Sequence, residues 1–342
     1  MAKRCGDPTV RVAAIDERGV EVEDDSVDRR EHVIEEHRHS LDRPFTPPRG
    51  ALWPDVRRRF TLGAMNAPSL RNGSVPDRVL VIHAHPDDEV FATAAATIAL
   101  AEQGYQILLR VGTGGEGGLP AHAGDPARAR NARAAQLTRS CRLLGIADWD
   151  YLAEAGRWID TGCGGAQTLA DEEPRVLAAA VRDCIDRVEP TVLLTVDHVG
   201  LTGHPDHIAI HNAVRGALAA PGWRPREAWG ALLLRRHIVA AHALARDVIP
   251  HRSVGSGRVR GHPDDVVERL ITCSPEDAGR RRAALDEYTP GLGTLPHTEL
   301  AQRLDRFGDS LLLRLAMDAS DWHTDRFARI HADNRTRTAL IR

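Results

Sequence analysis

The chain has 342 residues, 42% of them hydrophobic, and a formal net charge of -3; this is apolar material enough for a sizeable core and too little positive charge for a nucleic-acid surface. No stretch approaches the roughly 18 apolar residues of a membrane-spanning helix, and no apolar segment follows the N-terminal charges as a signal peptide requires, which predicts a cytoplasmic protein. The five cysteines (Cys5, Cys141, Cys163, Cys184, Cys273) are odd in number and never spaced as Cys-x-x-Cys, which suits free thiols used for packing.

Residues 1–75 are charged (Asp24, Asp25, Arg29, Arg30) and then rich in proline and arginine (Pro44, Pro47, Pro48, Pro54). Such a composition buries little, so the segment reads as a partly disordered extension, with a short helix at 28–38 and an anchor at Trp53 or Phe60. Met65 offers an alternative start. From residue 76 to 342 the pattern alternates short apolar runs with longer helical ones. Strands are expected at 79–83, 107–111, 149–152, 191–196 and 228–234. Between them lie helices at 90–103, at 126–144 behind the Asp125-Pro126 cap, at 174–188 and at 205–219. Further helices follow at 275–288 and 298–316. Strands alternating with helices give an α/β fold with a Rossmann-like, mostly parallel sheet flanked by helices and a smaller C-terminal α/β portion.

Two polar clusters stand out in this frame. The first, His85-Pro86-Asp87-Asp88-Glu89, directly follows the buried-type strand 79–83; the second, His204-Pro205-Asp206-His207, follows the strand 191–196. Both leave carboxyl ends of strands in one sheet, where open α/β sheets bind ligands, so residues about 120 apart can converge. His, Asp and His hold Zn²⁺ or Fe²⁺ in an open site, and His85, Asp88 and His207 are the obvious set. His204 and His207, three apart on a helix, face one side, so one can ligate while the other works. Two adjacent carboxylates can divide their roles, one on the metal and one on its water. A metal lowers the pKa of water from about 15.7 toward roughly 7, and a positioned base adds roughly 10²- to 10⁴-fold.

Ala84-His85-Pro86-Asp87-Asp88-Glu89 with Gly203-His204-Pro205-Asp206-His207 resembles the paired signature of the PIG-L/LmbE-like deacetylases, which remove N-acetyl groups from glucosamine-containing molecules. The likeness extends to Thr113-Gly114-Gly115-Glu116-Gly117 and to the stretch from Ala155 to Gly162, which is similar to the actinobacterial mycothiol branch. The resemblance implies zinc on His85, Asp88 and His207, Asp87 as general base, and His204 protonating the departing amine or polarising the tetrahedral species. It also places Glu116, Arg133, Asp160 and Thr202 on the substrate side, Asp160 toward sugar hydroxyls. The implied reaction is metal-dependent hydrolysis of the N-acetyl amide of a small amino-sugar conjugate, with homo-oligomerisation left open. Thr202 stands where the mycothiol enzyme has a tyrosine, Asp197-His198-Val199 lacks its asparagine-bearing turn, and Gln136 replaces a usual glutamate. Amidase action on mycothiol S-conjugates, or deacetylation in antibiotic biosynthesis, is therefore the alternative.

Other readings attach to the same residues. His85-x-Asp87 with a distant His fits the iron-oxygenase triad, whose usual scaffold is β-rich, and a binding protein with an inactive remnant site is the non-enzymatic rival. His262-Pro263-Asp264-Asp265 repeats the first cluster without a strand before it and reads as a solvated turn. His211 reads as packing or support for the site, Glu89 as a supporting partner or a helix N-terminal charge, and Gly112 to Gly118 as a loop shaping the pocket. The other arginines of 128–142 read as a solvated helix face.

Overall fold

A computed structural model describes residues 77–118, 124–162, 165–303 and 308–331, all within the one of the chain's two units that runs from Ala64 to Arg342. The expected helix at 28–38, the anchors Trp53 and Phe60, and Met65 lie outside the described residues.

Seven strands form one sheet in the order β3-β2-β1-β4-β5-β7-β6. They are β1 (Arg78–His83), β2 (Gln106–Val111), β3 (Asp148–Tyr151), β4 (Val192–Val196), β5 (Glu227–Ala231), β6 (Arg269–Thr272) and β7 (Thr324–Arg329). The first five pair in parallel, and β7 joins β5 and β6 antiparallel. Val79 to His83 are fully buried because both faces of β1 are covered, as a near-continuous apolar run requires. Val79 and Val81 pack with Ile98, Leu109 and Leu137 on one face; Leu80 and Ile82 pack with Leu177, Val181, Ile210 and Val214 on the other.

The order reverses between β1 and β4, so the crevice at their carboxyl ends is the switch point where such sheets bind ligands. Both predicted motifs open there. After β1 come α1 (Asp88–Ala92) and α2 (Ala94–Glu102), where one helix at 90–103 was expected. The break is at Thr93, in extended-side φ −134°, whose hydroxyl lies 3.0 Å from His83 Nε2, so a strand-to-helix contact interrupts the helix. After β2 comes α3 (Pro126–Leu144), capped by Asp125, which accepts the Arg128 N–H at 3.0 Å; after β3 comes α4 (Pro174–Val188). β4 leads into a short helix, α5 (Gly200–Gly203), and α6 (Pro205–Ala219).

The C-terminal part departs most from expectation. The strand at 228–234 ends at Ala231, and α7 (Arg235–Val248), β6 and β7 were not foreseen. α8 (Ala278–Tyr288) falls within the expected 275–288, and the single helix expected at 298–316 is two, α9 (His297–Arg303) and α10 (Asp309–Asp318). These elements brace the site. Buried Arg281 on α8 donates to Val90 O (2.8 Å) and Phe91 O (2.9 Å) of α1 and to Asp325 Oδ1 (2.8 Å) of β7, while Asp325 Oδ2 accepts the Ala96 N–H of α2 at 2.9 Å. No helix among the described residues is long and apolar enough to cross a membrane.

Candidate active site

The first motif is a forced turn. Asp87 holds φ 103°, a left-handed conformation costly for a residue with a Cβ, and caps α1. Arg133 of α3 holds it there, donating from Nη2 to Pro86 O at 2.5 Å and to Asp87 Oδ2 at 2.8 Å. Glu89 completes the brace: Oε2 accepts the Asp87 N–H at 2.9 Å, and Oε1 accepts the hydroxyls of Ser140 (2.6 Å) and Tyr288 (2.7 Å). Its fully buried carboxyl is pushed up to about 7, chiefly by burial. The glycine-rich loop closes over the same turn: Thr113 N–H donates to Ala84 O at 2.9 Å, and a Cβ on Gly115 would meet Arg133 Nε at 2.9 Å and Pro86 Cδ at 3.1 Å.

Consecutive residues of this turn point apart, as two roles demand. Asp88 turns inward and accepts the His85 backbone N–H at 3.0 Å; Asp87 keeps 26% of its side chain open beside the crevice. Burial raises the Asp87 carboxyl above its ordinary value, with Arg133 opposing. Burial also works against charge on Asp88, yet His207 and His85 hold it well below the usual carboxylate range.

The second motif meets the first across the switch point. His85 Nδ1 and His207 Nε2 lie 3.1 Å apart, His207 Nε2 is 3.1 Å from Asp88 Oδ1, and His85 Nδ1 is 3.9 Å from Asp88 Oδ2. Tetrahedral ligation at ~2.0–2.1 Å separates neighbouring ligand atoms by roughly 3.3 Å, which the two 3.1 Å separations at His207 Nε2 match, and ligand atoms of His85, His204 and His207 lie within 4.8 Å of one another, a grouping that suits a zinc-like ion. The outer ring nitrogens strengthen the fit. His207 Nδ1 faces Gly200 O at 3.1 Å and His85 Nε2 faces Asp206 Oδ2 at 3.3 Å. Each ring thus spends its N–H on an outer acceptor, so the two facing nitrogens are both lone pairs in neutral rings. A cation between two lone pairs at this separation would relieve their repulsion. Without one, a proton must serve: burial opposes the charge, but Asp160, Asp206 and Asp88 outweigh it and raise His85 to about 10.

Gly200 makes this possible with φ 66°, where a Cβ would strike His207 Cβ at 2.9 Å. Asp206 stands between the two histidines of the second motif. It is 1% exposed, and its other oxygen accepts the Ala170 N–H at 2.9 Å, so it is a fixed bracket for His85. His204 caps α6: its Nδ1 accepts the Asp206 N–H at 3.2 Å, which leaves Nε2 as the protonated nitrogen facing the crevice. Its ring is 4.8 Å from that of His85 and 5.1 Å from that of His207. Burial first, then these two neighbours, lower it to about 4.

The remaining predicted residues occupy three settings. Asp160 reaches the site, with Oδ1 3.8 Å from His85 Nε2. Glu116 stands behind it, accepting the Asp160 N–H at 3.1 Å on one oxygen and Arg130 Nη1 at 3.1 Å on the other. Arg133 is buried on Asp87 and beneath the Tyr288 ring, and Thr202 is buried on α5. The arginines of 128–142 divide: Arg128, Arg139 and Arg142 are exposed as expected, whereas Arg130 and Arg133 turn inward. Gln136 donates from Nε2 to Tyr288 O at 3.4 Å, and His211 Nδ1 lies 2.9 Å from Val196 O in a supporting position.

The family described as PIG-L: GlcNAc-PI de-N-acetylase matches residues 80–218, which contain both motifs. A relative from Thermomonospora curvata named 1D-myo-inositol 2-acetamido-2-deoxy-alpha-D-glucopyranoside deacetylase is 33% identical over 223 residues, spanning 57% of this chain and 74% of its own. One of the same name from Tsukamurella paurometabola is 30% identical over 256 residues, spanning 64% and 84%. Among solved structures, the N,N'-diacetylchitobiose deacetylase of Pyrococcus horikoshii aligns with a TM-score of 0.49 at 14% identity, covering 78% of this chain and 89% of that one. With both halves of the signature in place and relatives matched over most of their length, this chain belongs to the PIG-L family of deacetylases.

Proposed function

We propose that the protein hydrolyses the N-acetyl amide of an N-acetylglucosamine-containing small molecule, with a glucosaminyl-inositol conjugate as the substrate class suggested by the names of its relatives. The observation that carries the metal-dependent reading is the facing pair of imidazole nitrogens 3.1 Å apart, each ring having its other nitrogen on an acceptor. His85, Asp88 and His207 would hold the ion, for which Zn²⁺ is the best fit and Fe²⁺ the next. When bound, such an ion supplies Lewis acidity toward water and an amide oxygen.

The chain's own groups then divide the work. Asp87, partly open and raised above its ordinary value by burial, takes the proton of the attacking water and returns it to the amine nitrogen as the C–N bond breaks. Arg133 fixes which oxygen faces the crevice. His204 is neutral near pH 7 and presents Nε2–H, which favours hydrogen bonding to the developing oxyanion over delivery of a proton from a resting imidazolium. Asp160 borders His85 at the mouth and is offered to sugar hydroxyls, with Glu116 orienting its backbone. Acetate and the free amine leave. Amine release from N-acetylglucosaminyl-inositol, N-acetylated antibiotic precursors and mycothiol S-conjugates, measured side by side, tests this reading; turnover of none of them overturns it.

A further inference from the structure

A second cluster of ligand-type side chains lies outside the site. We propose that Asp197, His198 and His262 form a separate binding site for a divalent transition metal of the zinc type. One ligand atom from each of the three lies within 4.8 Å of the others. Asp197 is 3% exposed at the end of β4, and its Oδ2 accepts a hydrogen bond from His262 Nε2. His198 is exposed, with its ring 5.3 Å from that of His262, so the open side of the cluster faces solvent. Two imidazoles and one carboxylate are a donor set suited to a borderline ion and leave a position for water.

The supports are rigid. The Asp197 N–H donates to Ala231 O at 3.0 Å, and its Oδ1 accepts the Leu201 N–H at 2.8 Å. His262 is held by two backbone bonds, its N–H to Leu233 O and its C=O from the Arg235 N–H, each 2.7 Å. That approach needs glycine before it: Gly261 has φ 66°, and a Cβ there would meet Arg235 N at 2.7 Å. The ligands therefore come from two segments far apart in sequence and fixed before an ion arrives. An ion here would clip the 261–265 loop to the β4–α5 turn. Through Leu201, held at φ 55°, that turn carries Gly200, whose carbonyl orients His207.

The test counts Zn²⁺ bound by the full-length protein after chelation and reloading, by titration calorimetry with metal analysis. Two equivalents are expected for the wild type and one for each of His198→Ala and His262→Ala. His198→Ala leaves the Asp197–His262 hydrogen bond intact and so guards against a folding artefact. His85→Ala should retain one equivalent, which separates this site from the first. No bound equivalent in His85→Ala, or a count unchanged from the wild type in either His198→Ala or His262→Ala, overturns the proposal.

Discussion

His85-Pro86-Asp87-Asp88 and His262-Pro263-Asp264-Asp265 carry the same four residue types in the same order and fold into different objects. The first leaves a buried parallel strand and enters a helix, so Asp88 turns inward while Asp87 stays at the crevice. The second passes from a single bridge at Leu234 into a 3-10 turn at Asp264–Val266 with no buried residue, and Asp264 pairs with half-buried Arg236. A fixed strand end and a partner motif across the switch point bring the carboxylates beside two histidines; without them the same letters make a joint between loops. His262 alone faces inward, and it does so toward Asp197 rather than toward its own neighbours.

The contrast is tested most severely at Asp87. Asp87→Asn should lower turnover by roughly 10²- to 10⁴-fold while the metal content measured by atomic spectroscopy is unchanged. His85→Ala should lose turnover together with the one equivalent of metal assigned to His85, Asp88 and His207. Full activity in Asp87→Asn would dissolve the distinction between the copies at its chemical end.

Next in size is Asp206, which holds His85 Nε2 at 3.3 Å. Removing such an outer partner typically costs 10- to 100-fold in metal affinity, so Asp206→Asn should weaken metal binding by about that factor in chelator competition, with the fold unchanged by circular dichroism. Unaltered affinity would mean that the His85 tautomer is set by something else.

Much of this was legible before the structure because parallel strands are short apolar runs with abrupt polar ends. β1 to β5 sit near their expected places, and the ligand motifs follow β1 and β4 directly. Asp206 was not legible as a bracket, since its meaning depends on a contact 121 residues away. The C-terminal strands failed for a different reason. β6 and β7 are four and six residues long, partly exposed, and find their partners far away in the chain, so neither alternation nor a tight hairpin turn announces them. α7 carries a well-formed helical stripe of buried His237, Ile238, Ala241 and Ala245, so its absence from the expected elements has no physical reason in the pattern. Arg133 lies among solvated arginines of α3, and only its hydrogen bonds to Pro86 O and Asp87 Oδ2 across the fold distinguish it.

The neighbourhood of the second copy should answer to pH through His237, beside Arg236 on α7. Burial, then Arg326 and Arg236, lower it to about 3 from 6.5. The unfolded chain therefore takes up a proton at a higher pH than the folded one. The stability contributed by neutral His237 is complete above 6.5 and is lost as pH falls toward 3. Between pH 6.5 and 5 the loss is roughly 2 kcal/mol at most. Urea midpoints of the wild type and His237→Leu, taken at both pH values on chelated protein, should diverge in slope by that order; parallel lines would refute the assignment.

The smallest effect is expected where the two motifs look most alike. Asp264 and Asp265 occupy the places of Asp87 and Asp88, yet Asp264 is 45% exposed in its pair with Arg236, and exposed pairs contribute about 0.2–1 kcal/mol. The double variant Asp264→Asn/Asp265→Asn should keep kcat/KM within about twofold and shift the unfolding free energy by no more than that surface-pair range. A tenfold loss of turnover would make the second copy part of the catalytic apparatus, and residue context could then no longer account for the difference between two identical tetrapeptides.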